Sequence, residues 1–275
     1  MPAAFRRVVL IGKSPSSEVA DSLDALAAFL RGEGCEVLAE ADSARADLAV
    51  VIGGDGTMLA AARNLVRHKV PVVGINQGRL GFMTDIALKD MQTSVGAILA
   101  GRHTTEERTL IDAEIVRGGN TLLSTLALND AVVHKGAQGR LIEFEVHIDG
   151  EFVYTLRSDG VIVATPTGST AYALSAQGPI LHPSLPAFTL VPLNPHTLTA
   201  RPVSISDRST IEIVLRHAGD ARAHFDGQAL ADLAEGDRLR LKRSSDPIRF
   251  IHPPGYSYFV MLREKLRWSE AVERT

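Results

Sequence analysis

The hydrophobic pattern changes its period near residue 108, and this change constrains the fold more than any other feature of the chain. Before that point, short apolar runs rich in β-branched residues alternate with stretches of helical period. The predicted strands cover residues 8–11, 37–38, 48–52 and 70–75, and the predicted helices cover residues 19–30, 58–66 and 91–99. Alternation of this kind is typical of a parallel sheet covered by helices, with ligands bound outside the carboxyl ends of the strands. We therefore predict a Rossmann-like α/β domain over residues 1–108.

From residue 109 onward the chain has the pattern of a mostly β structure. Short or alternating apolar runs occupy residues 110–116, 122–133, 142–148, 161–164, 211–215 and 239–241. Four residue pairs are predicted hairpin turns, namely Gly118-Gly119, Asp149-Gly150, Asp226-Gly227 and Gly236-Asp237. We predict a β-sandwich-like domain over residues 109–252, with a short helix at 171–176. A C-terminal tail, residues 253–275, is predicted to carry a helix at 257–268 that packs back on the first domain.

Composition and charge exclude several classes of protein. The 29 basic and 32 acidic side chains leave a net charge of −3, without the basic surplus that a nucleic-acid backbone requires. Cys35 is the single cysteine, so an intrachain disulfide cannot form, which fits a reducing compartment. The apolar run after Arg7 is too short for a signal peptide, and no run reaches the length of a membrane span. We expect a soluble, cytoplasmic protein that binds neither nucleic acid nor a membrane.

The first motif that could carry chemistry is Gly53-Gly54-Asp55-Gly56-Thr57, between a predicted strand and a predicted helix. Glycines here let a backbone approach a phosphate or a ribose closely, and amides at a helix start favour an anion. Asp55 is expected near the end of the strand. An equally simple interpretation is a tight turn with a solvated carboxylate. The chain has neither a P-loop nor a G-x-G-x-x-G fingerprint after any strand.

The second motif is Thr165-Pro166-Thr167-Gly168-Ser169-Thr170-Ala171-Tyr172. Its hydroxyls and helix start could donate to a phosphate or a ribose, and the Tyr172 ring could stack on a ligand. Taken alone, a Pro-Gly turn capped by Ser169 or Thr170 explains the same residues. Two shorter pieces, Asn129-Asp130 and Asp226-Gly227-Gln228, are each explained alone by an ordinary polar turn.

The combination of these pieces resembles the NAD kinase family, in its bacterial form, over nearly the whole chain. The resemblance rests on the two motifs above, on Asn129-Asp130, and on Arg157-Ser158-Asp159-Gly160. It extends to Gly178-Pro179-Ile180-Leu181 and to Pro195-His196-Thr197-Leu198 before Arg201-Pro202.

The resemblance implies transfer of the γ-phosphoryl of ATP to the 2′-hydroxyl of the adenosine ribose of NAD, giving NADP. Asp55 is then the general base, and Gly53, Gly54, Gly56 and Thr57 form the phosphate loop. Mg²⁺ or another divalent cation would bridge donor phosphate oxygens rather than occupy a protein cage, and no cluster of metal ligands is expected among the histidines. The active form would be a homodimer or a homotetramer that shares its dinucleotide site between subunits.

The resemblance also implies a set of NAD-binding residues. They are Asp55, Gly56, Asn129, Asp130, Arg140, Arg157, Asp159, Thr170, Ala171, Tyr172, Ser175 and Gln228. Asp130 departs from the family pattern, because many members have glutamate there and the shorter side chain reaches one methylene less far. Arg157 takes a position where a charged side chain accompanies a preference for ATP over polyphosphate.

Two alternatives remain on sequence grounds. A related kinase could use a lipid or sphingoid alcohol as acceptor, since distant lipid kinases share the Gly-Gly-Asp-Gly loop, although the chain has no basic amphipathic helix for a membrane surface. A dinucleotide-binding sensor without turnover could keep the same loops, although such a protein would have no need of a base at Asp55.

Overall fold

The computed structural model describes residues 5–12, 17–78, 81–137 and 139–268 of the 275-residue chain. Its strands, in chain order, are β1 (Arg7–Gly12), β2 (Glu36–Leu38), β3 (Leu48–Gly53), β4 (Val72–Asn76), β5 (Ile86–Ala87), β6 (Thr104–Arg108), β7 (Ile111–Arg117), β8 (Asn120–Ala127), β9 (Asp130–His134), β10 (Ile142–Ile148), β11 (Glu151–Ser158), β12 (Gly160–Ala164), β13 (Ala187–Leu193), β14 (Val203–Ser206), β15 (Ile211–His217), β16 (Arg222–Phe225), β17 (Ala229–Asp232), β18 (Arg238–Arg243) and β19 (Ile248–His252). Its α-helices are α1 (Ser17–Gly32), α2 (Asp55–Leu65), α3 (Met91–Leu99), α4 (Tyr172–Ser175) and α5 (Tyr258–Leu266). Short 3-10 turns cover Glu40–Arg45, Val66–His68, Leu88–Asp90 and Gly168–Thr170. None of the described helices is both long enough and apolar enough to cross a membrane.

The chain divides into two compact units. Unit 1 comprises residues 1–107 and 248–275, and unit 2 comprises residues 108–247.

Unit 1 is built on one sheet with the strand order β2-β1-β3-β4-β19-β6, and β5 pairs with β4. The pairs β1–β2, β1–β3, β3–β4, β4–β5 and β4–β19 are all parallel. Every residue of β3 is buried, as expected for a parallel strand with both faces covered. Apolar side chains of α1 and α3 pack with those of β3 and β4 in one core. The predicted Rossmann-like parallel sheet is confirmed.

Two details of unit 1 differ from the sequence prediction. Helix α2 begins at Asp55 rather than at Met58, because Gly54 is extended and its carbonyl already accepts from the Met58 amide, at 3.2 Å. The segment Ile248–His252, which the prediction assigned to the β-rich domain, forms β19 of the unit 1 sheet. Its Phe250 is buried and lies in register with Val72 of β4.

The helix predicted in the tail is present as α5. Three of its side chains, Tyr258, Met261 and Leu262, are buried. The Lys265 ammonium lies 5.5 Å from the ring centroid of Phe82, which is also in unit 1. Residues 269–275 of the predicted tail lie outside the described residues.

Unit 2 is a β-sandwich, as predicted. One sheet has the order β11-β10-β15-β18-β7-β8, the other has the order β14-β13-β12-β9-β16-β17, and their pairs are antiparallel. One core cluster takes buried side chains from both sheets, including Phe144 and Leu239 from the first and Phe188 and Phe225 from the second. This is the face-to-face packing expected of two sheets that each have an apolar face.

Two predictions for unit 2 are wrong in detail. The apolar run 122–133 is not continuous but breaks at Leu128 and Asn129, so that β8 and β9 lie in different sheets. The backbone amides at the break donate instead to the Asp226 carboxylate. The pair Gly236-Asp237 is not a hairpin turn, because β17 and β18, which flank it, belong to different sheets, whereas the other three turn pairs do connect paired strands.

Alternate side chains of β9 lie on opposite faces of its sheet. Ala131 and Val133 enter the core between the two sheets, whereas Val132 packs on the opposite face with Ile162 of β12 and Ala173 of α4. Because side chains two residues apart share a face, Asp130 and His134 lie on the same side as Val132. Polar and apolar groups of β9 therefore share the face on which α4 lies.

Candidate functional site

Asp55 of unit 1 is held in place by backbone hydrogen bonds. It is the first residue of α2, just beyond the carboxyl end of β3. The Phe82 amide donates to its Oδ2 at 3.0 Å, and the Met83 amide donates to its Oδ1 at 3.1 Å. Each carboxylate oxygen keeps further acceptor capacity. The carboxylate is therefore fixed in position and can still accept a proton.

The glycines around Asp55 have different physical roles. A Cβ on Gly53 would lie 2.7 Å from the Thr57 hydroxyl oxygen, so glycine is needed for the helix to start so close to the strand. A Cβ on Gly54 or Gly56 would meet no atom within 4 Å, which leaves this backbone open to a ligand. A Cβ on Gly81 would lie 2.2 Å from Asp55 Oδ1, so residue 81 must be glycine for the carboxylate to stay where it is.

Unit 2 contains a cavity of about 410 Å³ on the face of the sheet that carries α4. It is lined by Asn129, Asp130, Val132, His134, Ala171, Tyr172, His224, Asp226 and Gly227. Four of the residues proposed from the sequence to bind NAD are thus brought together, namely Asn129, Asp130, Ala171 and Tyr172. The Asn129 carboxamide oxygen is buried and has no hydrogen-bond partner among the described residues.

Asp226 organises one end of this cavity, a role that the sequence analysis did not assign to it. It lies in the β16–β17 turn with a positive φ of 54°. Its buried carboxylate accepts from the amides of Leu128 at 3.0 Å, Asn129 at 2.7 Å and Asp130 at 3.3 Å. These bonds span about a hundred residues of sequence, and only the short Asp-Gly turn pointed to the position.

Asp130 lies beside Asp226 and is itself only 5% exposed. Burial, followed by repulsion from the Asp226 charge, raises the pKa of Asp130 to about 7. A carboxyl group with this pKa is partly protonated near neutral pH and can then donate a hydrogen bond as well as accept one.

Two histidines that the sequence analysis did not assign also line the cavity. The rings of His134 on β9 and His224 on β16 lie 4.4 Å apart between centroids, at 30° to each other. Burial, and then the neighbouring His134 and Arg222, lower the pKa of His224. The period-two pattern could have found them, because His134 follows Asp130 by four residues and His224 precedes Asp226 by two.

Three hydroxyls of the Thr-Pro-Thr-Gly-Ser-Thr motif donate to backbone carbonyl oxygens. The Thr165 hydroxyl donates to the Leu128 carbonyl oxygen at 2.5 Å, and the Ser169 hydroxyl donates to the Pro166 carbonyl oxygen at 2.6 Å. The Thr170 hydroxyl donates to the Thr167 carbonyl oxygen at 3.2 Å. Thr165 and Ser169 are fully buried, so their hydroxyls serve the folding of the loop and not a ligand.

The same loop places Asn129. The Thr165 amide donates to the Asn129 carbonyl oxygen at 2.9 Å, and a Cβ on Gly168 would lie only 2.0 Å from that oxygen. The two sequence motifs of unit 2, 129–130 and 165–172, therefore form one structure.

Several predicted NAD-binding residues do not line the cavity. In unit 2 these are Arg140, Arg157, Asp159, Thr170, Ser175 and Gln228, and the predicted Asp55 and Gly56 lie in unit 1. Asp159 instead binds the Lys135 ammonium at 2.6 Å and the Asn194 amide group at 2.9 Å. Burial would raise the pKa of Asp159, but these hydrogen bonds and the Lys135 charge outweigh it and hold the pKa below its usual value. Arg157 is exposed, and its Nε lies 3.7 Å from Glu143.

Two family models match the chain across both units. The ATP-NAD kinase N-terminal domain covers residues 17–103, and the ATP-NAD kinase C-terminal domain covers residues 128–253. The chain belongs to the NAD kinase family. Its relatives include the NAD kinase of Aromatoleum aromaticum, which is 56% identical over 100% of this chain and 98% of its own length. The NAD kinase of Azoarcus sp. is 54% identical over 100% of this chain and 99% of its own length.

Solved NAD kinase structures have the same fold. Yeast NADH kinase complexed with NADH has a TM-score of 0.91 and 25% identity, covering 99% of this chain and 90% of that one. An NAD kinase from Archaeoglobus fulgidus in complex with ATP has a TM-score of 0.80 and 28% identity, covering 95% of this chain and 98% of that one. The resemblance to NAD kinases seen in the sequence is confirmed, and membership makes the chain a phosphotransferase.

Proposed function

We propose that the chain moves the γ-phosphoryl of ATP to the 2′-hydroxyl of the adenosine ribose of NAD, with Asp55 as the base. The observation that supports this role most strongly is the pair of amide hydrogen bonds from Phe82 and Met83 to the Asp55 carboxylate. Phosphoryl transfer asks the protein mainly for positioning and charge stabilisation, and a fixed carboxylate supplies the first of these. The hydroxyl proton passes to Asp55 as the hydroxyl oxygen attacks phosphorus and the bond to the ADP oxygen breaks.

The unit 2 cavity is the proposed NAD site. Its volume suits a nucleoside, and the buried Asn129 carboxamide oxygen needs a donor such as an adenine amino group or a ribose hydroxyl. Asp130 can donate or accept beside it, and the Tyr172 ring, which is half exposed, offers a face for stacking. The neighbouring imidazoles of His134 and His224 add a second aromatic surface to the same cavity.

The predicted NAD-binding residues that do not line the unit 2 cavity are proposed to contact other parts of the NAD molecule. Gly56 is assigned with the Asp55 loop, and Asp159 and Thr170 are assigned to the rim of the dinucleotide site. Arg140, Arg157, Ser175 and Gln228 are exposed and are assigned to contacts that a neighbouring subunit of a homodimer or homotetramer completes.

The Gly53, Gly54, Gly56 and Thr57 loop is the proposed phosphate site, because the open backbone at Gly54 and Gly56 begins an eleven-residue helix. Among the described residues no three His, Cys, Asp or Glu side chains form a metal-binding group. Mg²⁺ would therefore be carried by phosphate oxygens of ATP, as is usual for this ion, and would neutralise the charge of the transferred group. The buried, unbridged Cys35 supports a cytoplasmic location.

The proposed reaction is tested with purified protein, NAD, ATP and Mg²⁺, with NADP read through an NADP-specific dehydrogenase. Parallel reactions replace ATP by polyphosphate, replace NAD by NADH, or omit Mg²⁺. NADP formed from NAD and ATP only when the cation is present supports the proposal. Folded protein that binds NAD but forms no NADP contradicts it. A further reaction with a sphingoid alcohol in place of NAD, read by ADP release, would assign a different acceptor if ADP formed there and not with NAD.

A further inference from the structure

The segment that binds Asp55, residues 81–85 of unit 1, also forms a hydrogen bond with a buried histidine. Segment 81–85 packs closely on β4, because a Cβ on Gly74 of β4 would lie 2.2 Å from the Met83 carbonyl oxygen and 2.8 Å from Thr84 Cα. On the β3 side, the amides of Phe82 and Met83 bind the Asp55 carboxylate.

On the other side of β4, the same segment meets β19. The last residue of β19, His252, donates from Nδ1 to the Asp85 Oδ2 at 2.9 Å. Its Nε2 lies 3.6 Å from Glu106 Oε2, so the imidazole lies between two carboxylates. The side chain of His252 is only 3% exposed and that of Asp85 only 10%. A charge-assisted hydrogen bond in such a buried place is shorter and stronger than one on the surface.

The ring of His252 is also fixed in orientation. It stacks on Tyr256 with centroids 3.7 Å apart and planes at 4°, and Tyr256 lies in the loop that leads to α5. Parallel neighbouring strands lie roughly 4.8 Å apart, so β3 and β19 flank β4 at about 10 Å from each other. Segment 81–85 carries both contacts, because the amides of Phe82 and Met83 bind Asp55 and the side chain of Asp85 binds His252.

We propose that His252 is a positioning residue for the reaction. By binding Asp85 it fixes the segment whose Phe82 and Met83 amides hold the Asp55 carboxylate in position. The inference rests on the proposed role of Asp55. It assigns to the His252–Asp85 pair a function in turnover that stacking and burial alone do not require. Misplacement of a reacting group by about 1 Å is enough to cost on the order of a hundredfold in rate.

Two substitutions at position 252 separate bonding from packing. His252→Phe keeps a ring against Tyr256 but loses the donor to Asp85. His252→Asn loses the ring but keeps an amide donor at the place of Nδ1. We expect His252→Phe to lower kcat by about tenfold or more with KM for NAD and ATP within about threefold, and His252→Asn to keep kcat within about threefold even if it melts earlier.

A purely structural role predicts the opposite order, with His252→Asn the more damaged of the two variants in kcat. That order, or equal losses that follow the melting temperature, would overturn the inference. The matched control is Asp47→Asn, which breaks the ion pair between Asp47, just before β3, and Arg7 of β1. It should lower stability while leaving kcat unchanged.

Hydrogen exchange supplies a readout that does not depend on the identity of the base. In His252→Phe the peptide that covers residues 81–87 should exchange about tenfold faster than in the wild type, and in Asp47→Asn it should not. Unchanged exchange in His252→Phe contradicts the inference. Asp55→Asn assayed in parallel distinguishes the two failures. An active Asp55→Asn protein would contradict the role of Asp55 as the base. An inactive Asp55→Asn protein, together with wild-type kcat in His252→Phe, would contradict only the positioning role of His252.

Discussion

Asp55 in unit 1 and Asp130 in unit 2 are both held by fixed structure, but the protein uses opposite means. Two backbone amides donate to Asp55, so its position is set by hydrogen bonds to each oxygen. Burial, and then the charge of the neighbouring Asp226 carboxylate, raise the pKa of Asp130 to about 7. The difference shows that one carboxylate is organised for placement and the other for its electrostatic environment. Substitutions at the two places should therefore change different quantities.

The largest effect among the tests of this comparison is expected from Gly81→Ala. The new Cβ would lie 2.2 Å from Asp55 Oδ1, so either the carboxylate or segment 81–85 must move. Because the proposed reaction depends on the placement of Asp55, kcat should fall by about a hundredfold. NAD affinity measured by calorimetry should change little, since Gly81 does not line the unit 2 cavity. Wild-type kcat in a folded Gly81→Ala protein would show that placement of this carboxylate does not limit turnover.

The next largest effect is expected from Asp226→Ala in unit 2. The change leaves the amides of Leu128, Asn129 and Asp130 without their acceptor, and one unsatisfied buried amide costs about 1–3 kcal/mol. Removal of the neighbouring charge should also lower the pKa of Asp130 and so offset part of the loss. We expect the free energy of unfolding to fall by at least about 2 kcal/mol and NAD affinity to fall with it. Asp226→Asn keeps one acceptor oxygen, so its free energy of unfolding should fall less. An equal fall in the two variants would contradict this account.

Asp130→Asn should change how stability depends on pH. The pKa of Asp130 is about 7 in the folded protein and that of an unfolded aspartate is about 3.9. Between these values the folded state keeps a proton that the unfolded state has lost, so Asp130 lowers the unfolding free energy by about 1.4 kcal/mol per pH unit as pH rises. The Asn variant should lack this contribution. Urea unfolding at pH 5 and pH 7 measures the slope, and an unchanged slope would contradict the shifted pKa.

A matched control for that slope is Asp47→Asn. Hydrogen bonding to Arg7 lowers the pKa of Asp47, so this group is charged in both states from pH 5 to pH 7. The slope over this range should equal that of the wild type even though the variant is less stable.

The smallest effect is expected from Arg157→Ala. The Arg157 side chain is 68% exposed and its Nε lies 3.7 Å from Glu143 Oε2, which makes a weak surface pair. The free energy of unfolding should change by less than about 0.5 kcal/mol. A rise in KM for NAD without loss of stability would support a contact with the dinucleotide, and an unchanged KM would remove Arg157 from the proposed NAD site.

The sequence predicted much of the fold because local patterns encode it. The Leu48–Gly53 strand, the α3 helix and three of the hairpin turns each follow from residues adjacent in the chain. Strand β19 was missed because its place beside β4 depends on a pairing across about 180 residues. The same limit applies to Gly236-Asp237, where a good turn sequence connects two different sheets.

The candidate site was predictable for its motifs but not for the groups that hold them. Asp55 and Asn129 stand in recognisable sequences, whereas the amides of Phe82 and Met83 carry no side-chain signal at all. The hydroxyls of Thr165 and Ser169 could have donated to a ligand, but they bind backbone carbonyl oxygens, Thr165 that of Leu128 and Ser169 that of Pro166. Residue type gives the chemistry available at a position, and only the folded backbone decides what that chemistry is used for.

The most direct test of the central claim compares kcat of the wild type and of Asp55→Asn for NADP formation, with NAD affinity measured on both proteins. The change keeps the shape of the side chain and one acceptor oxygen, but it removes the proposed base and one of the two amide hydrogen bonds. The account predicts a loss of kcat of about 10²- to 10⁴-fold with NAD affinity unchanged. A folded Asp55→Asn protein that keeps a tenth or more of the wild-type kcat would contradict it.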